Sequence, residues 1–560
     1  MFPNLLQRLS LPRIAWPPLP APRVVAVGTI ALFVAAVAFV LRFGSNCPVG
    51  DEWYLLTEVL HQGFSWKWVT AHHNEHRYIL AKTLWYASLS LTRFDFRAGT
   101  FVTLGLMFAS VGFLLAAIRR RCGRLHLADL FVPAVLLHWG HWFAWLMGYQ
   151  IAFSLVVFCA AGFAWATTLE SEKKAAWLGA LFLGLMALNG GFGLGWSGPL
   201  VLWVAFAAWR QRSILLGIVP VAVAGYVTFV VLTTPPPMAS QAKPNFGGFV
   251  EALVMYLGTG FGPDGFGPWG VSRVLAGSVG LGLVLAALAV TGRVVLADRA
   301  ERLRAAGLFA VLLGHLAVAV TIAWYRGHAQ GHRFITPSAV GLAIAWMALR
   351  QYVPFRPAWL AVAAVGAIVV FAVNAKDGYR QGLQQKANQK GFLADVERGT
   401  PALFLAGKYG GQWLIYDPHG QNIAALRDAK IGAFARTPAD PPSVSLPVAM
   451  PPDAMLPGCD NTPFSSGSSP PAVTIADAPT TVIALRVRIE QTRLEAWQEV
   501  ALTWSDGGIP HRATAYPNLF PPQGNALVFP TTPRPTNVRF EAASPTGGLK
   551  ILAVDWLAKE

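Results

Sequence analysis

Long apolar runs recur along most of this chain, and they constrain it more than anything else in the sequence. Between Val24 and Ala375 they measure about 16 to 22 residues, close to the ~20 helical residues that cross ~30 Å of hydrocarbon. A water-soluble fold could not bury that much apolar surface. Charged residues make up 13% of the chain, about half the roughly 25% of soluble domains, and mean hydropathy is +0.45. The expected fold class is an all-α polytopic membrane bundle of about eleven helices, each saturating its backbone hydrogen bonds internally.

The net charge of +16 raises the question of nucleic acid, which the location of the charges answers. Basic residues sit in short clusters between apolar runs, not along one helical face, so no nucleic-acid partner is expected. Arg8, Arg13 and Arg23 precede the first run and no small-residue cleavage site follows it, so it reads as a retained anchor rather than a signal peptide. The four cysteines, Cys47, Cys122, Cys159 and Cys459, form no CxxC pair, which speaks against a zinc or thiol-redox site.

Spans are expected near 24–42, 98–118, 127–147, 149–169, 174–189, 193–209, 213–232, 271–292, 306–325, 335–349 and 357–374, with a glycine-interrupted interfacial helix at 247–262. Lys and Arg in short loops stay cytoplasmic. With residues 1–23 inside, the inside loops hold Arg119, Arg120, Arg121 and Arg124; Lys173 and Lys174; Arg210 and Arg212; Arg293, Arg299, Arg302 and Arg304; and Arg350 and Arg356. The short loops at 148–150 and 190–192 hold none. The longer segments 43–97 and 233–270, the short loop 326–334 and everything after Asn374 then face outward, as in a bacterial inner membrane with a periplasmic C-terminal region.

The tail divides into a polar helical segment and Pro/Ser-rich linker over 376–472 and a β-rich domain over 473–560. Ile483, Leu485, Val487 and Ile489 alternate with polar neighbours, as do Val500, Leu502 and Trp504, and short apolar runs follow at 526–529 and 549–556. Period-two runs between Pro/Gly turns predict an antiparallel sandwich. Carbohydrate binding and a packing role are both open to it. Cys47 and Cys459 both fall outside, where a disulfide persists, and spacing does not decide whether they pair.

The first outward loop carries the densest chemistry. Asp51 and Glu52 stand about eight residues past the first span, and His72-His73-Asn74-Glu75-His76-Arg77 follows some twenty residues on. Asp51, Glu52 and Glu75 are candidate catalytic carboxylates, able to act as a general base or to hold a divalent cation. Asp51, Glu75 and His76 are the candidate metal ligands. His73, Asn74, His76 and Arg77 are candidate substrate-binding groups, Arg77 because a guanidinium fork suits phosphate. Residues 78–92 are too short and polar to span and are expected to form an interfacial helix. Before the span near Ile335, Arg326, His332 and Arg333 are further candidates for a lipid-linked phosphate. No GxxxxGK or GxGxxG signature is present, so no nucleotide cofactor is expected.

A first span, an acidic pair followed by Trp53, two interfacial helices, a polar turn, Arg97 before the second span and Arg333-Phe334 before a late one resemble the GT-C glycosyltransferases. That superfamily includes the protein O-mannosyltransferases and the aminoarabinose transferases. The HNEHR turn stands where the latter carry a Lys-Pro-Pro turn, and is similar to that of a divergent bacterial branch. The resemblance covers roughly residues 24–375. It implies an inverting transferase with a polyprenyl-phosphate-linked sugar as donor, an envelope glycan, lipid or protein as acceptor, and Asp51 serving the acceptor or a metal. The alternative is a transporter or flippase of lipid-linked envelope precursors, which would instead gather its polar groups at the membrane midplane.

Overall fold

The computed structural model describes residues 21–73, 76–233, 244–262, 272–326, 332–400 and 421–435, together with a few isolated positions and the strands between 443 and 559. Its helices are α1 (Ala21–Phe43), α2 (Asp51–Gln62), α3 (Trp66–Thr70), α4 (Ile79–Leu91), α5 (Arg97–Cys122), α6 (Phe131–Leu136), α7 (Trp142–Leu146), α8 (Ile151–Ala166), α9 (Glu172–Ala187), α10 (Gly190–Gln211), α11 (Ile214–Thr233), α12 (Phe246–Thr259), α13 (Ser272–Ala297), α14 (Arg302–Arg326), α15 (Ile335–Tyr352), α16 (Pro357–Glu397) and α17 (Gln421–Asp428). Among the described residues, eight helices are long and apolar enough to cross a membrane. Their outer faces carry bare aliphatic side chains, such as Val221 at 73% and Ile368 at 66% exposure, which only lipid can cover at acceptable cost. The chain is a multi-pass membrane protein.

Three of the expected spans take another form. Residues 127–147 do not make one helix: α6 and α7 are short pieces joined by tight turns, with His138 extended between them. The break is tolerated because His141 Nε2 lies 2.9 Å from the Val135 carbonyl, replacing a lost helical partner, while Nδ1 meets Thr336 Oγ1 at 3.0 Å. Helix α9 has 16 residues, about 24 Å, short of a full crossing. Helix α15 is buried from Ile335 through Leu349 and forms the centre of the bundle. The glycine-rich α12 has 14 residues and packs beside α13, where Gly258 meets the Gly277 backbone so closely that a Cβ would fall 2.9 Å from its nitrogen.

Helix ends sort into two faces. At one, Arg121 pairs with Glu301 at 2.7 Å, Arg304 with the same Glu301 at 2.7 Å, Arg350 with buried Asp129 at 2.9 Å and Arg210 with Glu172 at 3.1 Å. With Arg304 Nε donating to the Leu169 carbonyl at 3.4 Å, these contacts tie together the basic loops after α5, α8, α10, α13 and α15 among the described residues. At the other face, Arg77 reaches Thr233 and the Tyr78 backbone bridges to Asn189. Between the faces, Trp196 and Trp203 of α10 donate to the Val311 and Leu303 carbonyls of α14 at 3.0 and 2.8 Å. Gly314 makes room for the first of these, since a Cβ there would lie 2.4 Å from the Trp196 ring.

Helix α16 is one continuous rod of 41 residues, about 60 Å long. Its N-terminal half is apolar and its C-terminal half polar, so the expected span and the expected helical tail are a single element, opened by Pro357 at its first position. Beyond the bundle the polar half meets the first loop. Phe392, Val396, Ile423, Leu426 and Phe434 share one apolar core with Cys47, Trp53, Leu56, Trp68 and Trp85. Asn422 donates to the Trp53 carbonyl at 3.1 Å, and Phe392 and Phe434 meet the Trp53 ring edge-on. The segment after residue 376 is therefore a structural partner of the first loop, not only a spacer.

The C-terminal strands are β1 (Ser443–Val448), β2 (Ala472–Ile475), β3 (Val482–Gln491), β4 (Val500–Asp506), β5 (Ile509–Ala515), β6 (Ala526–Pro530), β7 (Thr536–Ala542) and β8 (Leu549–Lys559). They form two antiparallel four-stranded sheets, ordered β1-β8-β3-β6 and β2-β7-β4-β5. Leu485, Val487, Leu502, Val538, Phe540 and Trp556 are buried, and Arg486 pairs with Asp555 at 2.8 Å across the β3–β8 ladder.

Candidate functional site

The face opposite the arginine-rich loops is built on the N-terminus of α2. Gly50 precedes it with φ 57°, a left-handed value that glycine adopts without Cβ strain. The turn delivers Asp51 and Glu52 into the first helical turn, where carboxylates are favoured by the unpaired N–H groups. Successive residues on a helix diverge by about 100°, and these two carboxylates have different fates.

Asp51 keeps about a third of its side chain exposed, at 33%, and stands 3.8 Å from Nε2 of the buried His73. Burial acts to raise its pKa, but its neighbour His73 and the charge of Arg333 outweigh that and hold it below the usual carboxylate value. Asp51 is therefore ionised at neutral pH. The influence of Arg333 brings the start of α15 to the first loop, a juxtaposition of residues far apart in sequence.

His73 is set rigidly. Its backbone exchanges hydrogen bonds with that of His76, at 2.7 and 3.1 Å. Its ring sits among Tyr54 at 5.4 Å, Tyr149 at 5.3 Å and Tyr78 at 6.3 Å between centroids. His76 packs on the first turn of α10, where a Cβ on Gly191 would lie 2.6 Å from the ring. Arg77 turns toward the end of α11: Nε donates to His72 at 3.2 Å, Nη2 to Thr233 at 3.3 Å, and the guanidinium stacks 5.2 Å over Phe229. Burial, with Arg77 and Lys82 nearby, lowers the pKa of His72 and leaves it the neutral acceptor this bond requires. His332 rests 4.9 Å from the Trp142 ring, its pKa lowered by burial against the opposing charge of Asp377.

Glu52 is not a partner of Asp51 in this site, contrary to its expected catalytic role. It is 1% exposed and points into the junction of α2, α4 and α5. Trp85 Nε1 donates to Oε1 at 2.9 Å and the Val49 N–H to Oε2 at 3.0 Å, with the Gly148 N–H as a third donor. Burial, opposed by those donors and assisted by Asp51, pushes its pKa up to about 8. A Cβ on Gly148 would fall 2.6 Å from Oε1, so the glycine is what lets the carboxyl in. Arg97 is also engaged elsewhere, in a two-pronged pair with Asp95 whose shortest contact is 2.7 Å.

Asn74, Glu75 and the side chain of Arg326 lie outside the described residues, as do Cys459 and Asp264. Among the described residues, no three His, Cys, Asp or Glu side chains gather as a metal would need. The expected set of Asp51, Glu75 and His76 includes one member beyond them. One neighbour of the site carried no signal in the sequence. Tyr149, whose ring meets that of His73, sits in a three-residue turn that reads as a bare connector.

No family model matches the chain, and no curated protein does. Among solved structures it is similar to the arabinosyltransferase EmbB from Mycobacterium smegmatis, determined by single-particle cryo-EM. Identity is 13% and the TM-score 0.30, over 99% of this chain and 66% of that one. At that level the likeness carries no argument about chemistry, which has to come from the side chains themselves.

Proposed function

We propose that this protein is a membrane glycosyltransferase that moves a sugar from a polyprenyl-phosphate carrier to an envelope glycan, lipid or protein on the periplasmic face. One observation carries the reading: an ionised carboxylate, Asp51, flanked by His73 and within reach of the charge of Arg333, at the helix-end face opposite the arginine-rich loops. A carboxylate that feels the charge of a guanidinium at the membrane boundary suits a displacement in which an alcohol attacks and a phosphate departs.

In this reaction the acceptor oxygen bonds to the anomeric carbon as the bond from that carbon to the phosphate oxygen breaks, inverting the centre. Asp51 takes the hydroxyl proton late, once bond formation has made it acidic, which a carboxylate of low pKa can do. The electron pair leaves with the polyprenyl phosphate, whose charge Arg333 stabilises as it develops. Arg77, at the lipid-facing end of α11, suits the carrier phosphate or its first prenyl unit. A divalent cation would draw on Asp51, which is open enough to ligate, and on Glu75 and His76; Glu52 is closed off by its N–H donors.

The test is to incubate membranes with a panel of labelled polyprenyl-phosphate sugars, comparing wild type with Asp51→Asn. Loss of a general base lowers the rate by about 10²- to 10⁴-fold, with membrane insertion unchanged. Equal transfer by the two proteins removes Asp51 from the mechanism.

A further inference from the structure

The face with the arginine-rich loops carries a feature that the transferase chemistry leaves unused. Helix α10 ends at Gln211 and α11 starts at Ile214, so the two run side by side from a very short turn. Between them opens a groove of about 990 Å³, walled by Val201, Phe206, Gly217 and Val221, with Arg212 and Arg302 lining it as well. That volume is at the upper end of small-molecule sites. Gly217 makes much of the space, since only Ala208 Cβ comes within 4.0 Å of where its own Cβ would be.

The mouth is cationic. Arg210 is already neutralised by Glu172 at 3.1 Å. Arg212 is exposed, and neither it nor Arg302 makes an ion pair among the described residues. Arg302 gives Nε to the Val295 carbonyl at 3.0 Å, which leaves its terminal nitrogens available. Arg212 occupies the left-handed turn that closes α10, with φ 50°, where glycine would be the low-strain residue. At the rim, Trp209 and Ile214 are 76% and 85% exposed, an aromatic and an aliphatic side chain at the level where helices leave the hydrocarbon.

We propose that this groove holds an anionic glycerophospholipid, one acyl chain lying between α10 and α11 and the headgroup phosphate between Arg212 and Arg302. The apolar wall selects a chain and the two arginines select the charge. Basic loops place this end at the cytoplasmic leaflet, where anionic lipids meet juxtamembrane arginines.

The experiment uses the full chain purified in mild detergent, delipidated, and titrated with phosphatidylglycerol or phosphatidylcholine while bound lipid is counted by native mass spectrometry. Wild type is expected to prefer phosphatidylglycerol by roughly 30-fold, from ~1 kcal/mol for each arginine. Arg212→Gly removes a charge while relieving the positive φ, so it lowers lipid retention without lowering Tm. Gly217→Leu fills the groove and loses the lipid with both arginines intact. Equal retention of the two lipids, or undiminished binding by an Arg212→Gly/Arg302→Gln double variant, overturns the proposal. So does equal competition by inorganic phosphate, which would mark a phosphate site with no lipid component.

Discussion

Asp51 and Glu52 are consecutive residues in the first turn of α2, yet the first is a third exposed beside His73 while the second is sealed against Trp85 and the Val49 and Gly148 backbone. The two carboxylates are shifted in opposite directions, Asp51 down and Glu52 up to about 8. One backbone turn thus makes a charged site residue and an internal fastener.

Substituting Arg333 tests the link across the fold. Its charge helps keep Asp51 ionised, so Arg333→Ala raises the Asp51 pKa and moves the acid limb of the transfer rate to higher pH. Arg333→Lys restores the limb but only part of the rate, since a point charge replaces a fork. A rate–pH profile on membranes reads both, and an unmoved acid limb in Arg333→Ala separates the two residues.

Burial and its N–H donors predict that substituting Glu52 changes stability rather than turnover. Its folded pKa is raised from 4.5 to about 8, so its contribution is full below about pH 4.5 and is lost as pH climbs through about 8. Lys82, lowered to about 8 by burial against the opposing charge of Glu58, acts with the opposite sign, and its window lies above that pH. Glu52→Gln turns an amide NH₂ toward N–H donors and costs about 1–3 kcal/mol, while flattening the pH dependence between 4.5 and 8. Thermal unfolding in detergent across that range measures both effects.

At the arginine-rich face, Asp129 is fully buried and bonded to Arg350 and the Trp346 indole at 2.9 and 3.2 Å. Asp129→Asn leaves a guanidinium half-buried without its countercharge and destabilises the bundle by about 3–5 kcal/mol. The lipid groove is distant in the chain and keeps its arginines. A Tm equal to wild type would show that solvent, not Asp129, balances Arg350.

Cysteine labelling decides orientation. Single cysteines replacing Arg124 or Ser171 should resist a membrane-impermeant maleimide in intact cells, and one replacing Gly63, which is exposed between α2 and α3, should react. The reverse pattern would put Asp51 in the cytosol and end the periplasmic reading.

Much of the architecture was legible because it rests on short-range rules. Apolar run lengths marked the spanning helices α1, α5, α8, α10, α11, α13, α14 and α16, and the arginines at 119–124, 210–212, 293–304 and 350–356 sorted helix ends into a face that the structure joins by ion pairs. Period-two alternation marked β3 and β4, and short apolar runs marked β6 and β8. The break at His138 was not legible, because it depends on a side chain, His141, standing in for a backbone donor. Nor was the continuity of α16, because polarity changes along it while helical geometry does not.

The sequence by itself determined that the chain is membrane-bound, which helix ends keep company, and that acids, histidines and arginines crowd one set of loops; composition and spacing suffice for each. Only the tertiary structure decided which of these groups are available. Whether a carboxyl stands beside His73 or disappears beneath Trp85 depends on helix rotation and on a glycine at position 148 contributed by another element. Exposure and charge state arise from packing in three dimensions, and no one-dimensional pattern records them.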